Sequence, residues 1–485
     1  MDNREGVVLF VLLIIYTAVV SYIGYRNRAS NSSEAYFLAS RQLPAWLLAI
    51  TFIASWWGGG SAIDLVDQAY VEGISTFWIY GVPVLLSTAL MFVFAAGIRR
   101  VNTLSQPELI EKRYDGRSSL MLTIFILVFM TIGAAVQVIV VGRLLDTLLG
   151  VGYVWGAVIG TLMVIFYSLF GGFRGVVLTD LLQFVFFLFS TFFLFFLAYN
   201  RSGGFGEMLV ATEARDIPSY TDLFHNIGSN LAFVVTFGTS WMIQANVWQR
   251  ISAARTPRAA RSMMSISFFV FIPLYLIVTL TGMLALPLFD ELPDGGIVSA
   301  LLVGLDSDII RGVIFVGLCS AIMSTMDSML NTGALTLTVD LYQKYVNPNA
   351  SPQKYVTIGR LSTLLVGAVA LFIGVSIQSV IMISWIGADF IATGVFVPLV
   401  LGFVWRRGTA DGSFASMIFG LIFSLYNLLV AVGVNLPTAW DIASTKQAIV
   451  GIVSSFIVYV TVSLLTKPNN KKGDEFINTV NINRL

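Results

Sequence analysis

Runs of about 20 mostly apolar residues, each long enough to cross a bilayer, recur along nearly the whole chain and leave little sequence for anything else. Thirteen can be placed, at about 6–25, 44–70, 76–97, 119–150, 153–171, 176–199, 226–247, 263–287, 309–343, 357–377, 379–404, 412–433 and 447–465. Backbone polar groups find no water in hydrocarbon, so spanning segments of this length have to be helices. The expected class is an all-α polytopic membrane protein with about 13 transmembrane helices. Composition agrees: 11% of the residues are charged and 57% apolar, whereas soluble domains carry roughly 25% charge.

The few charges are informative by position. Arg26, Arg28 and Arg41 fall in one loop, Arg99, Arg100, Lys112, Arg113 and Arg117 in the next but one, and Arg250, Arg255, Arg258 and Arg261 in a later loop of the same parity. Lys344, Lys354, Arg360, Arg406, Arg407, Lys467, Lys471 and Lys472 continue the set. Basic loops stay in the cytoplasm, which predicts a cell membrane protein with its N-terminus outside and its C-terminus cytoplasmic. The intervening acidic residues Asp290, Glu291, Asp294, Asp306 and Asp308 fit the opposite side. Arg4 before the first segment and the lack of a small-residue cleavage site predict a retained helix.

Several function classes drop out. A formal net charge of +1 spread over short loops gives no nucleic-acid footprint. One cysteine, Cys319, and one histidine, His225, leave no zinc or haem ligand set. With no HExxH or GxSxG, a membrane enzyme has no machinery either. The expected partners are a small-molecule solute and membrane lipid, with the oligomeric state open.

Polar residues inside the spans remain. Ser320 to Asn331 places Ser324, Thr325, Asp327 and Ser328 within about one and a half turns of an otherwise apolar helix. Hydroxyls alone fit helix packing and back-bonding, but an intramembrane carboxylate points to a functional site. The second span contains Trp56-Trp57-Gly58-Gly59-Gly60-Ser61. Three consecutive glycines in mid-membrane predict a broken helix with free carbonyls, the device by which transporters coordinate ions. The seventh span, five helices later, carries Trp241, Gln244, Asn246, Trp248 and Gln249 with fewer breakers. Further intramembrane carboxylates at Asp64, Asp67 and Asp389 either cap broken helices and pair with hydroxyls, or face a cavity.

The run Gly171-Gly172-Phe173-Arg174-Gly175, followed by Thr179-Asp180 and Gln183, resembles the signature of the sodium:solute symporter family. Ala54 to Gly60, Trp248-Gln249-Arg250, and Ser324 to Ser328 leading to Asp340-Leu341-Tyr342 fit the same resemblance, which covers about residues 6–465. It implies a LeuT-type five-plus-five inverted repeat. The extra first helix and its loop would take residues 1–43, the transport core 44–405 with repeats at about 44–199 and 226–405, two further helices 406–466, and a polar tail 467–485.

The resemblance also implies a sodium site of neutral oxygens, carried over to Ala54, Trp57, Ala321, Ser324 and Thr325. Such dipoles can replace an ion's hydration without a fixed countercharge. A second ion site would use Asp180, Asp327 and Ser328 together with Ser324. Where a two-sodium member has serine this chain has Asp327, so two carboxylates would share that site and a proton is an alternative occupant. The motifs are most similar to the branch containing the high-affinity choline transporter, where Trp56 would form one wall of an aromatic cage. The expected solute wall is Trp56, Gly60, Ser61, Asp64, Gln137, Trp241 and Gln244. The function implied is sodium-coupled import of a small polar solute such as a sugar, amino acid, polyol, vitamin or choline. The alternatives are sodium-independent or proton-coupled transport, an ion channel, or a sensor on the same scaffold.

Overall fold

The computed structural model describes residues 3–27, 33–431, 434 and 444–481, and those residues are helical almost throughout. Ten helices among them are long and apolar enough to cross a membrane, and two shorter apolar helices, Ala45–Trp56 and Tyr153–Leu169, accompany them. Helix α1 (Asn3–Arg26) is followed by α2 (Ala45–Trp56), α3 (Leu65–Glu72), α4 (Gly81–Val101), α5 (Gly116–Leu149) and α6 (Tyr153–Ser202). Helices α7 (Ile227–Met242), α8 (Ala245–Ala253), α9 (Pro257–Leu284), α10 (Asp308–Leu335) and α11 (Pro352–Ser376) come next. The series closes with α12 (Val380–Ile391), α13 (Val397–Val404), α14 (Ala410–Ala431), α15 (Ser444–Leu465) and α16 (Asn470–Val480).

Helix starts follow local chemistry. Asp115, Thr256, Ser307, Ser351 and Ser379 each accept, through the side chain, a backbone N–H from the first turn of α5, α9, α10, α11 and α12. Those N–H groups have no intrahelical acceptor. Pro257 and Pro352 sit in the first turn, where a missing N–H costs nothing.

Position in the bundle follows from which faces are apolar. Of the most apolar window of α1, 22% is buried, against 83% for the window that includes α10. A helix covered all round belongs at the centre, and α10 packs against α6, α5, α11, α1 and α2.

Three irregularities carry the architecture. Helix α2 ends at Trp56, and the chain turns through Trp57 to Gly59 before a π-helical turn, Gly60–Asp64, leads into α3. Helix α7 ends at Met242, and extended backbone at Gln244 separates it from α8. Helix α6 bends at Gly172, whose φ of 54° and ψ of −168° lie outside the range of L-residues. Its Cα approaches Tyr36 so closely that an added methyl would stand 2.9 Å from that residue. The break expected after Trp56 is therefore present, and a second interrupts the seventh span at the corresponding place five helices later, with no glycine at Ile243 or Gln244.

Candidate ion and solute site

The break after α2 releases specific carbonyls. In a continuous helix the N–H of Gly58 would bond to the oxygen of Ala54, but it donates instead to Trp56 O at 2.9 Å. The next N–H, on Gly59, donates to the side-chain Oε1 of Gln137 on α5 at 2.9 Å. The Ala54 carbonyl is thereby left to another partner, and α10 supplies it. Ser324 Oγ donates to Ala54 O at 2.7 Å, and Thr325 Oγ1 lies 3.5 Å from the same oxygen. Both hydroxyls also reach back to Ala321 O, at 2.9 and 3.3 Å.

Four of the five residues expected to hold sodium therefore meet in one knot of oxygens. All four residues are buried. Two hydroxyl protons satisfy two carbonyls in this arrangement, and a monovalent cation entering the knot would release them by accepting all four oxygens. The donor set is neutral and all-oxygen, which suits sodium and not a soft metal. The fifth residue, Trp57, lies in the break itself, and a methyl on its neighbour Gly58 would stand 2.9 Å from Thr325 Oγ1.

The residues expected at a second ion site are arranged differently. Asp180 and Ser328 meet through Arg250: Nη2 donates to Asp180 Oδ2 at 3.2 Å and to Ser328 Oγ at 2.8 Å. Thr51 also donates to Asp180, and Arg250 Nε to Thr51 Oγ1 at 3.2 Å. Arg250 and Asp180 are both fully buried. Asp327 instead accepts from Ser168 Oγ at 2.6 Å, and its second oxygen has no partner among the described residues. A guanidinium thus stands between two of the three residues expected to hold an ion. The sequence places Arg250 among the basic loop residues and in the Trp248-Gln249-Arg250 block; in the structure it lies within α8, fully buried against Asp180, where an intramembrane charge needs a partner.

Beside the oxygen knot lies a cavity of about 100 Å³. Trp56, Gly60, Ser61, Gln137, Trp241 and Gln244 line it as expected. Asp64 does not: Tyr80 on the adjoining segment donates to its Oδ2 at 3.2 Å and closes it off. Asp67 likewise accepts the N–H of Ile297 at 2.7 Å, and Ser424 lies 3.5 Å from Asp389. Asp64 and Asp67 follow the structural alternative, pairing with a hydroxyl or a helix N-terminus, whereas Asp389 lines a second cavity, of about 580 Å³, together with Ser424 and Asn427.

Tyr80, Phe237, Met329 and Ser384 line the cavity without having been expected. Trp241 is the hub of its aromatic wall. It stands edge-on to Trp56 with ring centroids 5.5 Å apart, and stacks on Phe237 at 4.9 Å and near Tyr80 at 6.1 Å. Trp56 and Trp241 come from the ends of the two broken helices, so neither spacing nor period reveals that they touch. Thr325 lines the same cavity while belonging to the oxygen knot.

The profile of the sodium:solute symporter family matches residues 36–420. The chain belongs to that family. It is similar to a sodium/proline symporter of Haemophilus influenzae, at 25% identity over 98% of this chain and 96% of the relative. It is also similar to a sodium/glucose cotransporter of Vibrio parahaemolyticus, at 24% identity over 88% and 86% of the two chains. The structure of a sodium-coupled sialic acid symporter in a substrate-bound, outward-open state superposes with a TM-score of 0.80, at 18% identity, covering 95% of this chain and 98% of the other. These likenesses establish the LeuT-type fold and a multi-pass membrane protein of a transporter family, not an enzyme. They do not support the choline branch, since the relatives carry proline and glucose.

Proposed function

We propose that the protein is a sodium-coupled secondary active symporter that imports a small polar organic solute. One observation carries this reading: Thr325 belongs at once to the oxygen knot at the break after α2 and to the wall of the solute cavity. An ion drawing in the Ala54, Trp57, Ala321, Ser324 and Thr325 oxygens would fix the break and the cavity wall together. Coupling then follows by linkage, since each ligand stabilises the state the other prefers. The repeats at about 44–199 and 226–405 would move against each other around this point, and the breaks at 57–59 and 243–244 occupy corresponding places in them.

The cavity favours a small solute. Its volume of about 100 Å³ is well below the roughly 300–1,000 Å³ of drug-sized sites, and no charged side chain lines it. Trp56, Trp241 and Tyr80 offer ring faces to an ammonium group, while Gln137, Gln244 and Ser384 offer polar contacts. A zwitterionic amino or imino acid fits this chemistry, and the sodium/proline relative supports it. Choline would use the same aromatic wall and is the second reading. We infer from the basic loops that the N-terminus is outside, the C-terminus cytoplasmic, and the membrane that of the cell.

The test is thermal unfolding of the purified protein with proline, glucose and choline, each in sodium and in potassium. A ligand that binds the folded state raises the melting point. Stabilisation by one solute in sodium alone is the expected result. Equal stabilisation in potassium would favour sodium-independent or proton-coupled transport, and none in either salt would place the solute outside these three and leave a sensor as the alternative.

A further inference from the structure

A second concave site lies away from the solute cavity, on the side we infer to be cytoplasmic. It is a groove of about 670 Å³ between the end of α4 and the start of α9. Arg100 from α4 and Arg258 and Arg261 from α9 line it, beside Phe92 and Ser262. Neither helix contains an aspartate or glutamate. Among the described residues no carboxylate lies within ion-pair distance of Arg258 or Arg261. The guanidinium of Arg261 is laid over the Phe92 ring, 4.3 Å from its centroid, and its buried Nε has no hydrogen-bond partner among the described residues. Arg100 is held from the other side, donating to the carbonyls of Val480 and Asn481 at 2.8 Å each, which anchors the end of α16 next to the groove.

Arg258 and Arg261, converging on one groove with no carboxylate in reach among the described residues, make a site for an anion. What surrounds it says which kind. Leu86 and Val93 on α4 and Ile266 and Phe269 on α9 are exposed at 37, 43, 40 and 69%, so the same two helices that line the groove present an apolar lane of surface. A soluble anion would have no use for that lane. We propose that the groove binds the anionic headgroup of a membrane phospholipid, with the phosphate against Arg258 and Arg261 and the acyl chains along the lane. Basic pockets between membrane helices are suited to this, and each cation near an anionic surface contributes about 1 kcal/mol. The site sits against the two carbonyls that close α16, so an occupied groove would also brace the C-terminal helix against α4.

Native mass spectrometry of the full chain in neutral detergent tests it, with dioleoylphosphatidylglycerol and dioleoylphosphatidylcholine as paired probes and inorganic phosphate as the soluble arm. Phosphatidylglycerol is expected to be retained over phosphatidylcholine. The double variant Arg258→Gln with Arg261→Gln should weaken its retention about 30-fold, two charges at about 1 kcal/mol each. Ser262→Glu, which leaves both arginines in place and adds an acid to the groove, should weaken it too. Equal retention of the two lipids, unchanged phosphatidylglycerol retention in both variants, or full displacement of the lipid by millimolar phosphate would overturn the proposal.

Discussion

The hydroxyl of Ser324 donates to the carbonyl of Ala54 across 2.7 Å, tying the centre of α10 to the broken end of α2. This bond exists because Gly58 has turned its N–H away from Ala54, so the helix break and the hydroxyl-rich helix are one construction. Replacing Ser324 with Ala removes one of the oxygens proposed to hold sodium. A hydrogen bond or dipole to a charged group is worth about 1.5–3 kcal/mol, so apparent sodium affinity should fall roughly ten- to hundredfold in a sodium titration of the melting point. Thr325→Val should do the same and also lower solute affinity, since Thr325 lines the cavity. Unchanged sodium dependence in both variants would remove the site.

The Asp180–Arg250 pair makes a separate prediction about stability. Both side chains are fully buried, and removing one partner from such a pair costs about 3–5 kcal/mol because a charge is left stranded in low dielectric. Arg250→Met should therefore destabilise the protein strongly. Asp180→Asn with Arg250→Met should recover much of the loss, measured as the melting points of the single and double variants. Additive losses would mean that the two residues do not act as a pair.

Close approach, not flexibility alone, explains the glycines at the break. A methyl on Gly59 would lie 2.5–2.6 Å from the Val140 side chain on α5. Such overpacking costs about 1–3 kcal/mol. Gly59→Ala should lower stability by that amount, and Val140→Ala placed in the same chain should restore part of it. A stable Gly59→Ala single variant would contradict the packing.

The aromatic wall predicts an effect on solute without an effect on ion. Trp241 packs on Trp56, Phe237 and Tyr80 and takes no part in the hydrogen bonds of the oxygen knot. Trp241→Ala should weaken solute binding at least tenfold, by losing about 1.4 kcal/mol or more of ring contact. Sodium-induced stabilisation without solute should persist, and its loss would place Trp241 in the ion site.

How much of this was legible in the sequence depends on whether the signal was local. The break at Gly58 to Gly60 was, because glycine weakens a helix wherever it stands. The sequence points to the seventh span only by its matching position; that the break falls at Ile243 and Gln244 is set by tertiary packing, which overrides the local helix preference there. Ser324 and Thr325 could be singled out because hydroxyls cluster there against an apolar background. Arg250 meeting Asp180 across 70 residues of chain could not, and neither could Tyr80 covering Asp64. Both depend on which helix faces meet, a property of the bundle and not of either segment.

Uptake by the purified protein in proteoliposomes, driven by an inward sodium gradient with potassium as the control and proline, glucose and choline as solutes, tests the central claim most directly. The account predicts accumulation of one solute in sodium only, lost when Ser324 and Thr325 are both replaced. Equal accumulation under the potassium gradient, or sodium-driven accumulation that survives loss of both hydroxyls, would contradict it.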